Sequence, residues 1–307
     1  MKKPVYIIIL FFLLCFSIME GKSQKRSSFI RFGLIADIQY GDCDTKGSRF
    51  YRNSLQKLDS CIMDFNQKKV DFIINLGDLV DRNPQDIPPV ISALSRAEAP
   101  VYNITGNHDY NGIENNSDLY TELKMPHEYY ALTLPNWRFI LLNTNEIATY
   151  ANISGTWKEQ ELNSQLEKLK KEGKTNGQTY NGGISSCQLN WLKEQLLTAQ
   201  NNHEKVIIFS HHPLYPASAY TALNDKEILD ALSGYSCVKA VISGHHHTGG
   251  FGYYNHIPCI TTEGMIETEN INAYGIIEIY EDKMIVDGTG RTKSYEILFD
   301  SPTHSPQ

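Results

Sequence analysis

Six short β-branched or apolar runs, most of which end in polar residues, constrain the fold of this chain more than any other feature. The runs are FIRFGLIAD (29–37), VDFIINLGD (70–78), PVYNITGNHD (100–109), RFILLNTN (138–145), KVIIFSHHP (205–213) and VKAVISGHHH (238–247). Continuous apolar runs bounded by turn residues are typical of strands that are buried on both faces, as in a sheet covered by helices. The runs therefore predict an α/β fold.

Segments of helical period lie between these runs. Residues 52–65 and 188–197 each place apolar side chains on one face of a helix, and residues 158–174 predict an exposed, charged helix that Gly173 ends. Residues 110–130 and 145–187 are predicted to be long polar connections over the active face. The last third of the chain predicts antiparallel strands with short turns, including IPCITTEG from residue 257. We expect one domain over residues 29–298, with sheets that pack together and carry helices outside.

The two ends of the chain are predicted to lie outside this domain. Lys2 and Lys3 precede an apolar run from Val5 to Ile18, and small and polar residues follow. This run is short for a membrane-spanning helix and no stop-transfer pattern follows it, so residues 1–24 predict a signal peptide. We expect a secreted or periplasmic protein without stable membrane insertion, with a retained N-terminal anchor as the alternative. Residues 299–307 predict a disordered tail.

Charge and cysteine content exclude two classes of protein. The formal net charge is −7, and removal of residues 1–24 would make it −9 because three lysines and one glutamate lie there. Non-specific nucleic-acid binding requires a basic surface, so nucleic acid is not an expected partner. Six cysteines at irregular spacings, one of them in the predicted signal peptide, do not form a disulfide scaffold, although one bridge stays open.

Polar side chains follow five of the predicted strands at the points where the strands end. They are Asp37, Gln39, Asp78, Asp81, Asn107, His108, Asp109, His211, His245 and His247. Sites in open α/β sheets form beyond the carboxyl ends of strands, so we expect these side chains to meet. Carboxylate, imidazole and amide oxygen suit Mn²⁺, Fe, Zn²⁺ or Co²⁺, and a shared carboxylate such as Asp78 can bridge two cations roughly 3.5–4 Å apart. The set predicts a dinuclear metal centre.

The three consecutive histidines of GHHHTGG are predicted to differ in role. Alternate residues of an extended chain point to the same side. His245 and His247 are therefore predicted ligands, as are Asp37 and Gln39, whereas His246 points away.

The succession D-x-Q, GD-x-x-D, GNHD, SH and GH-x-H resembles the calcineurin-like metallophosphoesterase superfamily over residues 29–291. The resemblance implies the metallo-dependent phosphatase fold, in which two packed mixed β-sheets are flanked by helices as an α/β/β/α sandwich. It also implies two divalent metal ions. One would be held by Asp37, Gln39, Asp78 and His247, and the other by Asp78, Asn107, His211 and His245.

The same resemblance implies roles for three further residues. His108 would donate a proton to the leaving oxygen or stabilise the transition state, and Asp81 would orient it. Arg82 matches a phosphate-binding arginine of the protein-phosphatase branch, with an ordinary surface arginine as the alternative. His212 matches no ligand and is interpreted as a core or wall residue.

Gln39 stands where most of the superfamily has histidine. The same glutamine occurs in the manganese-dependent ADP-ribose/CDP-alcohol diphosphatases, which FGLIADIQYGD, GSRFYRNSL, YNGGISSCQLNWL, GHHHTGG, TTEGMIETE and DGTGR also resemble. This resemblance implies Mn²⁺ as the metal and hydrolysis of a phosphoanhydride by water activated at the metal pair. Within these stretches, Arg49 and Arg52 are candidates to bind the second phosphate, Tyr40 to stack on a base, and Asn181 to contact the substrate.

Three functions stay open at this point. The first is a secreted diphosphatase that acts on small nucleoside diphosphate-linked compounds, and the second is a metal-dependent phosphomonoesterase or phosphodiesterase of broad specificity. The third is a binding protein on the same fold that has lost its metal. The presence of competent residues at all seven ligand positions favours an enzyme, which we expect to be a monomer.

Overall fold

The computed structural model describes residues 30–299. The predicted signal peptide (1–24) and residues 300–307 of the predicted tail lie outside this range. The strands are β1 (Ile30–Ile35), β2 (Phe72–Asn75), β3 (Val101–Asn103), β4 (Tyr130–Leu134), β5 (Trp137–Leu141), β6 (Ile147–Ala148), β7 (Gly182–Gly183), β8 (Lys205–Ser210), β9 (Val238–Ser243), β10 (Thr248–Tyr254), β11 (Ile257–Glu263), β12 (Ala273–Ile279), β13 (Lys283–Gly290) and β14 (Tyr295–Leu298). The α-helices are α1 (Asn53–Lys68), α2 (Ile87–Leu94), α3 (Asn116–Glu122), α4 (Trp157–Lys171), α5 (Ser186–Asn201) and α6 (Asp225–Ser233).

The strands form two mixed six-stranded sheets and a small two-stranded sheet of β6 and β7. The first large sheet has the order β14-β13-β12-β1-β2-β3, in which β1, β2 and β3 are parallel. The second has the order β10-β11-β9-β8-β5-β4, in which β5, β8, β9 and β11 are parallel. Parallel neighbours direct their carboxyl ends to one edge, which places the residues that follow them together.

The prediction for residues 257–263 was partly wrong. Strand β11 is antiparallel to β10, as expected of a hairpin, but it is parallel to β9 on its other side. Strand β10 follows the histidine triplet directly and was not predicted, because its three glycines break the apolar pattern from which strands are recognised.

The two large sheets pack face to face through aromatic side chains. The ring of Phe32 in β1 lies edge-on to the rings of Phe139 in β5 and Phe209 in β8, with ring centroids 5.9 Å apart in each pair. Each buried phenylalanine contributes roughly 1.5–3 kcal/mol by leaving water. The sandwich therefore has its main core between the sheets, as the resemblance implied.

Helices cover the outer faces of the sandwich. Helix α1 lies so close to β1 that a Cβ at Gly33 would be 2.5 Å from the ring of Phe65. Helix α5 packs on β5 and β8 of the second sheet, beside α6. The predicted helices at 52–65, 158–174 and 188–197 correspond to α1, α4 and α5, and Gly173 follows α4 with φ of 63°.

The predicted connections carry more structure than expected. Residues 110–130 include α3, and residues 145–187 include β6 and β7 beside the predicted α4. Among residues 30–299, no helix combines the length and apolar character that crossing a bilayer requires.

Candidate metal centre

All seven candidate ligands follow strands of the two large sheets. Asp37 and Gln39 follow β1, Asp78 follows β2, and Asn107 follows β3, while His211 follows β8 and the pair His245 and His247 follows β9. The two sheets thus contribute to one site at a shared edge, as the strand ends predicted.

The backbone at this edge is not extended. Asp37, Gln39, Asp78 and His245 have φ of 53°, 42°, 55° and 67°. The prediction that the chain is extended here, so that alternate residues point to one side, is therefore wrong. Both members of each pair nevertheless reach the site. Left-handed backbone is strained in residues other than glycine and persists where the surroundings hold it. Here the N–H of Asp37 donates to the carbonyl of Gly77 at 3.1 Å.

One part of the site joins the first sheet to the end of the histidine triplet. Gln39 Nε2 lies 2.8 Å from Asp78 Oδ2 and 3.3 Å from His247 Nε2. His247 Nε2 lies 3.4 Å from Asp37 Oδ1. The four side chains predicted to share one metal therefore contact each other.

The other part joins the second sheet to the carboxylate of Asp78. His211 Nε2 lies 3.6 Å from Asp78 Oδ2 and 3.2 Å from Asn107 Oδ1. His245 Nδ1 lies 3.2 Å from His211 Nε2. Asp78 is thus the carboxylate common to both predicted metal positions.

The residues present fit divalent cations. Within residues 30–299, Gln39 Oε1 is one of few buried side-chain oxygens without a hydrogen-bond partner, and a 180° turn of the amide would direct it, in place of Nε2, toward Asp78 and His247. Asp37, Asp78 and His211 each offer a ligand atom within 4.8 Å of the others. Glycine makes room beside them, since a Cβ at Gly106 would lie 2.1 Å from Asp78 Oδ1. Carboxylate, imidazole and amide donors without thiolate suit hard to borderline metals.

Asp109 shapes the loop that carries Asp78, a role that the sequence did not assign although GNHD was recognised. Its carboxylate accepts the N–H groups of Gly106, Asp78, Leu79 and Val80 at 2.7–3.2 Å. Burial, and then the charge of Asp78, raise the pKa of Asp109 to about 7 against these hydrogen bonds. The position of a polar residue at a strand end was the signal that could have identified it.

Glu267 is a second residue whose contact the sequence did not predict. His247 Nδ1 lies 2.8 Å from Glu267 Oε1, and this hydrogen bond lowers the pKa of Glu267 to about 2. Burial lowers the pKa of His247, but the charge of Asp37 and the hydrogen bonds to Asp37 and Glu267 outweigh burial and raise it to about 9. A carboxylate behind a metal-binding imidazole fixes the ring and its tautomer.

His108 and Asp81 lie at the rim of the site and contact each other. His108 Nδ1 lies 2.9 Å from the carbonyl oxygen of Asp81 and 3.3 Å from its Oδ1, and the His108 N–H donates to Asp78 Oδ1 at 2.8 Å. Burial lowers the pKa of His108, but the charge of Asp78 and the hydrogen bonds to Asp81 outweigh burial and raise it to about 9. These contacts with Asp81 favour the imidazolium form of His108.

A cleft of about 730 Å³ opens beside His108. We call it the cationic cleft, because its lining includes Lys46, Ser48, Arg49, Tyr51, Arg82 and His108. Arg49 lies 3.9 Å from both Asp81 and Glu267, and Arg82 Nε donates to Asp81 Oδ2 at 2.6 Å. Arg49 and Arg82 thus line the cleft beside the site, and their contacts with phosphate stay predictions.

Arg52 and Tyr40 are held away from this cleft. Arg52 pairs with Asp42 at 2.6 Å and Asp44 at 2.9 Å, and its side chain is 53% exposed. Burial raises the pKa of Tyr40, as do the charges of Asp42 and Asp86 nearby. Neither residue lines the cleft, so their predicted substrate contacts stay predictions.

A different set of residues surrounds His245. Asn181 is 1% exposed, and its Oδ1 lies 3.1 Å from His245 Nε2, so the structure places it against a candidate ligand. His212 uses both ring nitrogens on Thr144 and the carbonyl of Tyr180, which agrees with a wall role rather than a metal ligand. Its burial lowers the pKa well below the ordinary value, so the ring is neutral.

The ring of His246 contacts Tyr220 and Thr248. It stacks on the ring of Tyr220 with centroids 4.3 Å apart and planes 12° apart. The ring of Tyr180 lies 5.7 Å from that of Tyr220 and 5.9 Å from that of His245. These aromatic rings border the site next to His245.

The cysteines of the described part of the chain form no bridge. Cys43, Cys61, Cys187, Cys237 and Cys259 are free thiols. The single bridge that the sequence left open is therefore not made within residues 30–299.

Comparison with known proteins gives consistent matches. The family model of calcineurin-like phosphoesterases matches residues 30–249. The human manganese-dependent ADP-ribose/CDP-alcohol diphosphatase is 29% identical over 323 residues, which cover 89% of this chain and 93% of the human protein. The bovine protein of the same name is 30% identical and is covered to 95%, with 89% of this chain matched.

Solved structures agree with these matches. A dimetal phosphatase from Danio rerio superposes with a TM-score of 0.81 and 26% identity, over 89% of this chain and 100% of the other. A purple acid phosphatase from yellow lupin superposes with a TM-score of 0.55 over 89% of this chain and 54% of its own, and at 13% identity it supports the fold alone.

Proposed function

This chain belongs to the calcineurin-like phosphoesterase family and is a metal-dependent phosphohydrolase, and we propose that it cleaves the diphosphate bond of nucleoside diphosphate-linked compounds such as ADP-ribose and CDP-alcohols. The predicted family and fold are confirmed. The substrate is the proposal, and it is supported by the names of relatives that match along most of this chain.

The cationic cleft is the observation that carries this proposal. A diphosphate has two charged groups, and only one of them can occupy the metal centre. Arg49, Arg82 and His108 provide positive charge directly beside that centre, in a chain whose net charge is −7. Arginine is well suited to bind the second phosphate through paired hydrogen bonds.

The rings next to His245 support a nucleoside group on the substrate. Tyr220 stacks on His246 and is 39% exposed, so one of its faces can accept a base. Stacking of a base on an aromatic side chain contributes about 1–3 kcal/mol in nucleic-acid binding proteins. A simple phosphate ester would leave this surface unused.

We propose that the cofactors are two Mn²⁺ ions. Asp37, Gln39, Asp78 and His247 would hold one ion, and Asp78, Asn107, His211 and His245 the other. When bound, such a pair lowers the pKa of water and neutralises charge on phosphoryl oxygens. The word manganese in the names of the relatives supports this choice of metal.

The side chains around the metals have separable tasks in this reaction. Asp81 holds the His108 ring through Nδ1, which leaves the other ring nitrogen for the cleft. His108 as imidazolium stabilises negative charge on the departing phosphate, and donates a proton where the leaving group needs one. Arg49 and Arg82 orient the second phosphate, while His211 and His247 are held through Nδ1, by the carbonyl oxygen of Leu76 and by the carboxylate of Glu267.

The alternative function is that of a phosphomonoesterase or phosphodiesterase of broad specificity. It is favoured by Arg82, whose side chain is 57% exposed at the rim, where a simple ester can reach it. The test is kcat/KM with Mn²⁺ for ADP-ribose and CDP-choline against p-nitrophenyl phosphate and its bis ester. We expect the diphosphates to be preferred by about tenfold or more, which corresponds to about 1.4 kcal/mol. Equal or faster turnover of the simple esters would replace the proposal by the alternative.

We also propose that the protein is exported and acts as a monomer on small molecules. Export is supported by the basic start and short apolar run of residues 1–24. Fractionation of cells and mass spectrometry of the N-terminus test it. A chain that keeps residue 1 and sediments with membranes would indicate a retained anchor instead.

A further inference from the structure

The segment Gly264–Thr268, which follows β11, is joined by its backbone to the first candidate ligand. We call it the clamp segment. The N–H of Met265 donates to the carbonyl of Ala36 at 3.0 Å, and that of Ile266 to the carbonyl of Asp37 at 2.9 Å. The clamp segment lies outside residues 30–249, which the family model matches.

Two cationic side chains hold the clamp segment in place. Lys57 on α1 is 5% exposed, and its Nζ donates to the carbonyls of Met265, Glu267 and Thr268. Arg291 donates to the carbonyl of Gly264 at 3.0 Å and to that of His247 at 3.1 Å. Hydrogen bonds from charged donors are stronger than neutral ones, so this geometry is well defined.

The same segment is joined to one wall of the cationic cleft. The N–H of Phe50 donates to the carbonyl of Ile266 at 3.2 Å, and that of Thr268 to the carbonyl of Ser48 at 2.9 Å. Arg49 and Glu267 stand opposite each other in this short antiparallel pairing. The loop that carries Arg49 therefore keeps its position relative to the clamp segment.

The carboxylate of Glu267 lies between a candidate metal ligand and an arginine of the cationic cleft. Its Oε1 lies 2.8 Å from His247 Nδ1 and 3.9 Å from Arg49 Nε. We propose that Glu267 is a positioning residue that aligns both the metal ligand His247 and the phosphate-binding Arg49, and so couples metal binding to substrate binding. The Arg49 half of this inference rests on the proposed function, whereas the His247 half does not.

The physical basis is that one negative charge, on Glu267, acts on both His247 and Arg49. The hydrogen bond to Nδ1 fixes His247 in the tautomer whose Nε2 can bind a metal, and partners of this kind typically contribute 10–100-fold to metal affinity. The same charge, together with that of Asp81 at an equal distance, keeps the partly exposed side chain of Arg49 at the cleft. Removal of the charge should therefore weaken both functions together.

The first experiment measures Mn²⁺ binding to metal-free protein by isothermal titration. Glu267→Gln keeps the size of the side chain and removes its charge, and we expect the affinity for Mn²⁺ to fall by about 10–100-fold. Glu263→Gln is the control, because Glu263 directly precedes the clamp segment and is buried, but its carboxylate accepts the N–H of Lys293. We expect the control to bind Mn²⁺ within about twofold of the unsubstituted protein, which corresponds to about 0.4 kcal/mol of binding free energy. Unchanged affinity in Glu267→Gln, or an equal loss in both folded variants, would overturn the His247 half.

The second experiment is a double-mutant cycle on KM at saturating Mn²⁺. We expect Glu267→Gln and Arg49→Gln each to raise KM, and the double variant to raise it by clearly less than the product of the two factors, because the residues act together. Arg49→Gln alone should leave Mn²⁺ affinity unchanged. Factors that multiply would overturn the Arg49 half.

The failure of the proposed function is distinguishable from the failure of this inference. If the unsubstituted protein does not turn over ADP-ribose, the proposed function fails, and the cycle is measured on the ester that is turned over. Mn²⁺ affinity requires no substrate, so the His247 half is decided in either case. Thermal unfolding of each metal-free variant identifies any that do not fold. If Glu267→Gln does not fold, Glu267→Asp replaces it in the titration. The aspartate keeps the charge but reaches less far, so we expect an intermediate loss of Mn²⁺ affinity.

Discussion

The candidate ligands and the arginines of the cationic cleft are neighbours, but they are held in different ways. Asp37, Gln39 and Asp78 are at most 1% exposed. The side chains of Arg49 and Arg82 are 36% and 57% exposed and depend on ion pairs. Buried, hydrogen-bonded groups cannot move without repacking their surroundings, whereas exposed ion pairs contribute little and rearrange easily. The comparison indicates that the scaffold fixes the candidate ligands, whereas the arginines that we propose to bind the second phosphate can rearrange more easily.

The largest effect should come from substitution of Asp78, the carboxylate common to both predicted metal positions. Asp78→Asn removes the charge on which both predicted metal positions depend, and metals contribute several kcal/mol to charge stabilisation in such sites. We expect a loss of rate of about 10³-fold or more, together with a lower metal content by elemental analysis. A variant that keeps both metals and more than a tenth of the rate would contradict the assignment of Asp78.

His108 lies between the two regions, so its substitution separates metal binding from chemistry. His108→Ala should reduce kcat by about 10²–10⁴-fold while metal content stays the same, because its ring faces the cleft and only its backbone contacts a ligand. The measurements are kcat for ADP-ribose and metal content of the same sample. Loss of metal would mean that His108 belongs to the scaffold instead.

The pH dependence of Mn²⁺ binding tests whether His247, in the buried ligand set, must lose a proton before a metal binds. His247 has a pKa raised to about 9 without metal, so a proton must leave Nε2 before a metal binds there. The apparent affinity for Mn²⁺ should therefore rise with pH by about tenfold per unit from pH 7 to pH 8, and level off above pH 9. Isothermal titration in buffers of different ionisation enthalpy measures both the affinity and the proton release. Affinity that is flat across this range would mean that His247 is already neutral.

The smallest effects should come from substitutions of Arg49 and Arg52, two arginines of one sequence stretch that differ in their contacts. Arg49→Gln should raise KM for ADP-ribose by about tenfold, since a charge-assisted hydrogen bond contributes about 1.5–3 kcal/mol and part of it is lost to solvent. Arg52→Gln is the matched control, because Arg52 pairs with Asp42 and Asp44 at the surface. We expect the control to change KM by less than about twofold, as exposed pairs contribute about 0–1 kcal/mol. Equal effects of the two substitutions would show that exposure and cleft position do not decide substrate binding.

The pattern of alternate positions identified pairs of ligands but not the backbone conformation that presents them. It paired Asp37 with Gln39 and His245 with His247, and the structure brings these side chains together. The stated reason was wrong, since the chain turns through left-handed conformations there. Those conformations are held by hydrogen bonds to Gly77 and neighbouring loops, which a period of two residues does not contain.

The substrate contacts were harder to predict for a related reason. Arg49 and Arg52 lie in the same stretch and have the same chemistry, so no local pattern distinguishes them. That Tyr40 stacks on a base stays a prediction, and the sequence did not indicate that the rings of Tyr180 and Tyr220 lie beside His245. Loops bring these rings to the site, and the path of a loop depends on the whole sandwich.

The sequence by itself determined the types of the donor atoms and their places after the strands, because apolar runs and polar strand ends are local properties of the chain. It did not determine that Glu267 would contact His247 and Arg49, or that Asp109 would hold the loop of Asp78. These contacts join segments that are far apart in the chain. Only the packing of the two sheets decides which distant backbone and side-chain groups come within hydrogen-bonding distance.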